Sequence, residues 1–354
     1  MQVGRQAASA SLGVGVMPPI AIQAMRRAGD SMIAGYDPRY ATSRAMPRST
    51  IIPCHVLRQL SLIAPSAPKR PAHLAAASGL VHVGGWLYVV ADDELQLGVF
   101  RFGADEPGTL LRMFAGDLPN GPGARKKAKP DLESLVLLPP DPHWPHGALL
   151  ALPSASRPNR NRGALLTLDV QGAPDGAARI IDLSGFFALL RESIPASNIE
   201  GATIVGTELV LFQRGNKAAA ASACLRFDYA AFAIGLANGA VGAMALTRVD
   251  LLDLGSIDGI PLAFSDACAL PDGRIAFCAV AEDTDDPYLD GAFCGAAIGM
   301  LDANGALASL RRIDAPAKIE GISARRVDDI IELLLVTDAD DAAAAGLLLE
   351  ARID

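Results

Sequence analysis

The sequence predicts an all-β fold in which one four-stranded sheet unit is repeated, and three observations predict it. A short pattern recurs as Ala77-Ser78-Gly79-Leu80, Leu132-Glu133-Ser134-Leu135, Ile199-Glu200-Gly201-Ala202, Ser265-Asp266-Ala267-Cys268 and Ile319-Glu320-Gly321-Ile322. Each copy runs through a turn into a dense apolar stretch: Trp86 to Ala91, Ala148 to Leu152, Glu208 to Phe212, Arg274 to Val280 and Ile331 to Val336. The polar positions 78, 133, 200, 266 and 320 are separated by 55, 67, 66 and 54 residues. Each interval holds about four short strands, and self-similarity at that period marks a repeat architecture.

The elements follow in chain order. Residues 1–50 carry Met1, Met17, Met25, Met32 and Met46, arginine in excess of acid, and no alternating strand pattern. They read as a poorly ordered N-terminal tail; no apolar core followed by a cleavage site supports a secretory signal. His55 to Ile63 is an orphan strand with no partner in sequence. The first interval then offers Gly79 to Val83, Trp86 to Ala91, Gln96 to Phe102 and Thr109 to Phe114, rich in valine, leucine and phenylalanine and bounded by Gly, Asp and Pro. Gly185 to Ser193 and Tyr229 to Leu236 read as single short helices between strands. Pro271-Asp272-Gly273 and Asn304-Gly305 suit tight hairpin turns. The fifth copy offers only Ile319 to Arg325, Ile330 to Val336 and Gly346 to Ile353, one strand short of a unit.

Four-stranded units at this period are the blades of a β-propeller. If the orphan strand supplies the missing edge of the fifth unit, the ring closes over residues 52–354 with no long sheet edge exposed. That makes five blades; a sixth, degenerate blade within 133–200 or 200–266 is the alternative.

Composition narrows the function. Hydrophobic residues make up 51% of the 354 and charged residues 20%, which supports a large core. A net charge of -8 argues against a nucleic-acid partner, whose phosphates need a cationic surface. No apolar run reaches the roughly 18 residues of a membrane helix. The five cysteines show no CxxC spacing and read as reduced thiols, which fits a cytoplasmic protein. No feature speaks to oligomeric state.

Propeller topology brings the start of each first strand and the end of each second strand to one mouth of the channel. The starts carry Ser78, Glu133, Glu200, Asp266 and Glu320. The ends carry Asp92-Asp93, Ser156-Arg157, Arg214-Gly215-Asn216, Glu282-Asp283 and Asp338. Two positions before the acids, on the same side of the strand, stand Asp131, Asn198 and Lys318. Unit charges about 8 Å apart repel by about 2 kcal/mol at an effective dielectric near 20, so the acids need compensation. One solution is a cation held by Glu133, Glu200, Asp266 and Glu320. Oxygen ligands favour Ca²⁺, with Mg²⁺ as the alternative. The histidines miss these positions, which argues against zinc. Arg157 and Arg214 are the other solution. The structural alternative is that the acids bond backbone amides of adjacent blades and lock the ring.

The basic loop Arg125-Lys126-Lys127-Ala128-Lys129-Pro130 and the stretch from Ser156 to Arg162 flank the same mouth. With Arg214, Asn216 and Lys217 they either hold a small anionic molecule or are solvated loops on an acidic protein. The segment Glu282 to Gly291 is strongly acidic but lacks calcium-loop spacing. No nucleophile elbow, phosphate-binding loop or dinucleotide fingerprint occurs.

The Ile-Glu-Gly elements, Lys129-Pro130-Asp131-Leu132-Glu133, Gln213-Arg214-Gly215-Asn216 and Ala281 to Asp286 resemble those of an uncharacterised bacterial β-propeller family over about 52–354. More remotely, the chain is similar to phytase-like and gluconolactonase-like propellers. That resemblance implies calcium at the channel and hydrolysis of phosphoesters or lactones, with no catalytic residue carried over. The resulting expectation is a metal-dependent hydrolase of a small anionic ester, phosphoester or lactone. Glu133, Glu200, Asp266 and Glu320 would hold the metal, and Arg157, Arg214, Asn216 and Lys129 the substrate, with Asp338 or Glu282 as base. The rival expectation is a non-catalytic ligand- or protein-binding propeller.

Overall fold

The computed structural model describes residues 51–194, 196–215, 222–284 and 291–354. The tail expected over 1–50, Asn216, Lys217 and most of the acidic segment after Glu282 lie outside the described residues.

Each blade is an antiparallel sheet whose strands follow one another outward from the axis. β1 (Cys54–Gln59) comes first. The first blade is β2 (Ala77–Val83), β3 (Trp86–Ala91), β4 (Gln96–Arg101) and β5 (Thr109–Arg112). After helix α1 (Pro122–Ala128) the second is β6 (Leu132–Leu138), β7 (Ala148–Pro153), β8 (Arg162–Thr167) and β9 (Arg179–Asp182). After α2 (Ser184–Ser193) comes the third: β10 (Ile199–Val205), β11 (Glu208–Gln213), β12 (Ser222–Asp228), then α3 (Tyr229–Ala237) and β13 (Arg248–Leu252). The fourth carries an extra short strand, β14 (Ser256–Ile257), before β15 (Ile260–Ala269), β16 (Ile275–Asp283), β17 (Ala292–Leu301) and β18 (Leu307–Ile313). The fifth is β19 (Lys318–Val327), β20 (Ile330–Asp338) and β21 (Leu347–Ile353), completed by β1, which pairs antiparallel with β21 from Cys54 opposite Ala351 to Gln59 opposite Leu347.

The architecture is therefore a five-bladed propeller closed by its N-terminal strand. The two long intervals hold α2 and α3 rather than a sixth blade. Phe186, Phe187 and Leu190 of α2 and Phe232 and Leu236 of α3 enter the apolar layer between the second and third blades. Asp228 caps α3 by accepting the Ala231 N–H at 2.7 Å. The basic loop 125–130 is in fact largely α1. Pro122 suits the first helical turn, and Arg125, Lys126 and Lys127 lie in the last turn, where the helix dipole favours positive charge.

The core is five apolar layers, each shared by two neighbouring blades. Alternation explains it: in a strand packed on both faces, successive side chains enter opposite layers. In β7, Leu150 and Leu152 face the third blade while Leu149 and Ala151 face the first. All five cysteines are free thiols on strands; Cys224 and Cys278 are fully buried.

Candidate functional site: the channel mouth

The inner strands β2, β6, β10, β15 and β19 pack side by side around the axis. In every first-to-second strand pair the register slips by one residue, at Ser78, Glu133, Glu200, Ser265 and Glu320. A bulge leaves one residue unpaired and re-aims its side chain. The repeated pattern is thus Ile (core), Glu (bulge), Gly (contact with the next blade). A Cβ on Gly321 would lie 3.0 Å from backbone atoms of Gly79 and Leu80, and one on Gly201 3.0 Å from Ala267 N and Asp266 Cα. The glycine is required by close backbone approach.

The fourth copy departs from the others, and the expected equivalence of its acid is off by one residue. Ser265 occupies the bulge, and Asp266 stands where the first, third and fifth blades have glycine. Only 1% exposed, Asp266 reaches to the neighbouring blade: its Oδ2 accepts the Ile322 N–H of the fifth blade at 2.9 Å. Burial drives its carboxyl far above the ordinary range, against the pull of the amides of Ile322, Ala267 and Leu80, and Glu320 adds to the rise. Its Oδ1 has no hydrogen-bond partner. Ser78 makes a similar tie, donating to Leu132 O at 2.6 Å.

Two clusters of charge sit at the mouth. In the first, Asp92 follows β3 and Asp131 precedes Glu133 at the start of the second blade. One carboxylate oxygen from each lies within 4.8 Å of the others, a cluster able to coordinate a divalent cation. Asp131 adopts φ 62°, a left-handed conformation that costs a non-glycine residue roughly 1 kcal/mol. Its surroundings hold it there. Its backbone carbonyl accepts the Ser154 N–H at 3.0 Å, Ser154 Oγ donates to its Oδ2, and Arg160 Nη1 lies 2.5 Å from the same oxygen. Lys129 Nζ contacts Asp92 and lies 3.0 Å from Asp131 Oδ1. Among the described residues none hydrogen-bonds or ion-pairs with the Glu133 carboxylate. Burial, then Asp131 and Glu200, push its carboxyl well above the usual range, while Lys129 works the other way.

In the second cluster, Arg214 bonds Glu282 and lies 3.6 Å from Glu200, and Asn198 Nδ2 donates to Glu200 Oε1 at 2.5 Å. Lys318, 4% exposed, points its ammonium at four carboxylates: Asp340 at 2.9 Å, Glu282 at 3.1 Å, Glu320 at 3.5 Å and Asp338 at 3.7 Å. Burial lowers its affinity for a proton, but Glu320, Asp338, Glu282 and Asp340 outweigh it and keep the ammonium charged. Burial raises Glu320 well above the ordinary range and raises Glu200 too, with Lys318 and Arg214 opposing. Oε1 of Glu282 and Oε1 of Glu320 carry no hydrogen bond despite the nearby ammonium.

The predicted residues are thus divided. Glu133 belongs to the first cluster with Lys129; Glu200, Glu282, Glu320, Asp338 and Arg214 belong to the second; Asp266 is buried between the fourth and fifth blades. Arg157 is half-buried in the loop after β7, and the guanidinium that reaches Asp131 is that of Arg160. Asp92, Asp131, Lys318 and Arg160 were not singled out by sequence as the groups that carry the site. The signal for three of them was present: Asp92 ends a second strand, and Asp131 and Lys318 stand two residues before a bulge acid.

A model of a family of unknown function, DUF6929, matches residues 73–353. The chain belongs to that family. No curated protein matches it. Solved structures similar to this DUF6929 chain include a glutaminyl cyclase from Myxococcus xanthus (13% identity, 86% of this chain and 100% of that one, TM-score 0.43). A PQQ-bound aldose sugar dehydrogenase from Streptomyces coelicolor is similar at 16% identity, over 84% of this chain and 98% of that one, TM-score 0.41. So is a glycosyl hydrolase from Bacteroides ovatus, at 10% identity, over 88% of this chain and 96% of that one, TM-score 0.43. Likeness at that level carries no argument about function. Among the described residues, no helix is long and apolar enough to cross a membrane.

Proposed function

We propose that this propeller is a divalent-cation-dependent hydrolase acting at the channel mouth on a small anionic ester, phosphoester or lactone. The observation that carries the reading is the convergence of Asp92, Asp131 and Glu133 within 4.8 Å. The donor set is all carboxylate oxygen, which fits a hard cation, with Ca²⁺ the first candidate and Mg²⁺ the second. Asp266 Oδ1, buried and without a hydrogen bond, is a further carboxylate oxygen of the same chemical kind. Glu133, Glu200, Asp266 and Glu320 are accordingly kept as candidate ligands, with Asp92 and Asp131 added.

When bound, such a cation supplies a Lewis acid that polarises a substrate oxygen and acidifies water. The chain's own residues would do the rest. Arg214, Arg157 and Lys129, with Asn216, would orient the anion by charge-assisted hydrogen bonds. Asp338 is the better general base, because its side chain is more exposed than that of Glu282 (19% against 4%) and lies farther from Lys318 (3.7 Å against 3.1 Å), while Glu282 is also bonded by Arg214. The phytase-like and gluconolactonase-like resemblance, and a cytoplasmic setting for the 52–354 domain, belong to this reading. The test is metal content after exhaustive dialysis, followed by hydrolysis assays on lactones and phosphoesters with and without chelator. Stoichiometric metal and chelator-sensitive turnover are expected; no metal in the wild type and no turnover defeat it.

One observation favours a second reading, a non-catalytic binding propeller. Lys129 and Lys318 already place ammonium groups among the acids, so compensation does not demand a metal. Metal-free protein that retains its full melting temperature supports this alternative.

A further inference from the structure

Lys129 caps α1, its N–H bonded to Arg125 O at 2.8 Å. The helix is anchored in turn by the buried Arg125, whose Nε donates to Asp93 O at 2.8 Å and whose guanidinium lies 3.0 Å from Glu94. The base of the Lys129 side chain is therefore fixed, while its ammonium sits at the end of a flexible four-carbon stem. That ammonium touches two of the three clustered carboxylates, Asp92 and Asp131. The third, Glu133, has no bonding partner among the described residues. The other oxygen of Asp131 is held separately by Arg160 and Ser154, so the carboxylate keeps its place whether or not Lys129 stays. Glu320, only 5% exposed, adds to the negative potential at Glu133, while its own Oε1 faces Lys318 at 3.5 Å.

We infer that Lys129 is a tethered competitor for the cation site and that its displacement arms the mouth for anions. A divalent cation entering among Asp92, Asp131 and Glu133 takes the oxygens that now face the ammonium. Repulsion between the two positive groups turns the lysine outward, where it meets an anion. Cation and anion then strengthen each other's binding by the same factor. This rests on the cation reading above and names the residue that sets both cation affinity and anion capture.

The test uses calorimetric titration of the full chain, dialysed against chelator, with calcium chloride, and then with inorganic phosphate in the presence and absence of calcium. Lys129→Gln is compared with wild type and with Lys127→Gln, which removes the same charge from an exposed position of the same helix. Lys129→Gln is expected to bind calcium at least about tenfold more tightly, and Lys127→Gln to change it less than about twofold. Phosphate is expected to bind wild type more tightly with calcium present, and this coupling to shrink in Lys129→Gln. Equal shifts in the two variants overturn the inference. Calcium binding by wild type with no change in Lys129→Gln overturns the inference and leaves the cation reading standing. Binding by Lys129→Gln alone supports the competitor role but sinks the cation reading for the native protein; no binding by any of the three sinks both. If Lys129→Gln does not fold, wild type alone decides: phosphate affinity indifferent to calcium overturns the inference.

Discussion

Replacing Asp266 separates its two roles, as an acceptor for buried amides and as a buried acid. Asp266→Ala removes the acceptor of the Ile322 N–H, which lies 2.9 Å from Oδ2 in a site almost closed to solvent. An unsatisfied buried amide costs about 1–3 kcal/mol. Asp266→Asn keeps a carbonyl oxygen for Ile322 and puts an amide NH₂ where Oδ1 now has no partner. It also removes an ionisation that burial opposes. The folded carboxyl holds its proton to higher pH than the unfolded one. The stability contributed by that protonation is therefore complete below about pH 4, the unfolded value, and is lost as pH rises through the folded value. Wild type should weaken from pH 5 to pH 8 by more than Asp266→Asn does, and Asp266→Asn should match or exceed wild type at pH 8. Urea unfolding at both pH values measures this, and thermal melts report it at about 2–4 °C per kcal/mol for a large domain. If Asp266→Ala stays within about 0.5 kcal/mol of wild type, or Asp266→Asn is as damaging as Asp266→Ala, the account of Asp266 as a tie between the fourth and fifth blades fails.

Other perturbations test the remaining links. Lys318→Met leaves four carboxylates around an empty position and should cost about 3–5 kcal/mol near neutral pH, with partial recovery when Glu320→Gln is added; chemical denaturation of the single and double variants measures both. Gly321→Ala should destabilise by about 1–3 kcal/mol, because its Cβ would meet the next blade and Val336 Cγ2 at 2.5 Å. Gly206→Ala, at φ +57° with open space around it, should cost only about 1 kcal/mol, and equal losses in the two would refute the close-approach argument. Because Glu133, Glu320 and Asp266 are all held above their ordinary range, the melting temperature should rise on going from pH 8 to about pH 5.5. A flat or opposite profile would mean that these carboxyls are compensated when ionised. Deleting residues through Gln59 strips the edge from β21 and should abolish cooperative unfolding, as followed by circular dichroism.

Only the tertiary structure, with α2 and α3 in the long intervals, removed a sixth blade; the amino-acid sequence by itself determined the repeat, the four-stranded unit and the candidate closing strand. These depend on local alternation and on a period, which are properties of the chain read in order. It also located the mouth, since strand polarity alone brings first-strand starts and second-strand ends to one side. The tertiary structure decided what the charges do there. A one-residue slip at Phe264-Ser265-Asp266 moved an acid from the bulge to the glycine position, because in a strand a single step changes the face. Whether Glu133 meets a metal, Lys129 or nothing depends on where α1 ends, and whether Lys318 neutralises Glu282, Glu320, Asp338 and Asp340 depends on the angle between the fourth and fifth blades. Coulomb pairing falls off over a few ångströms, and residue spacing along a chain does not encode distances that fine.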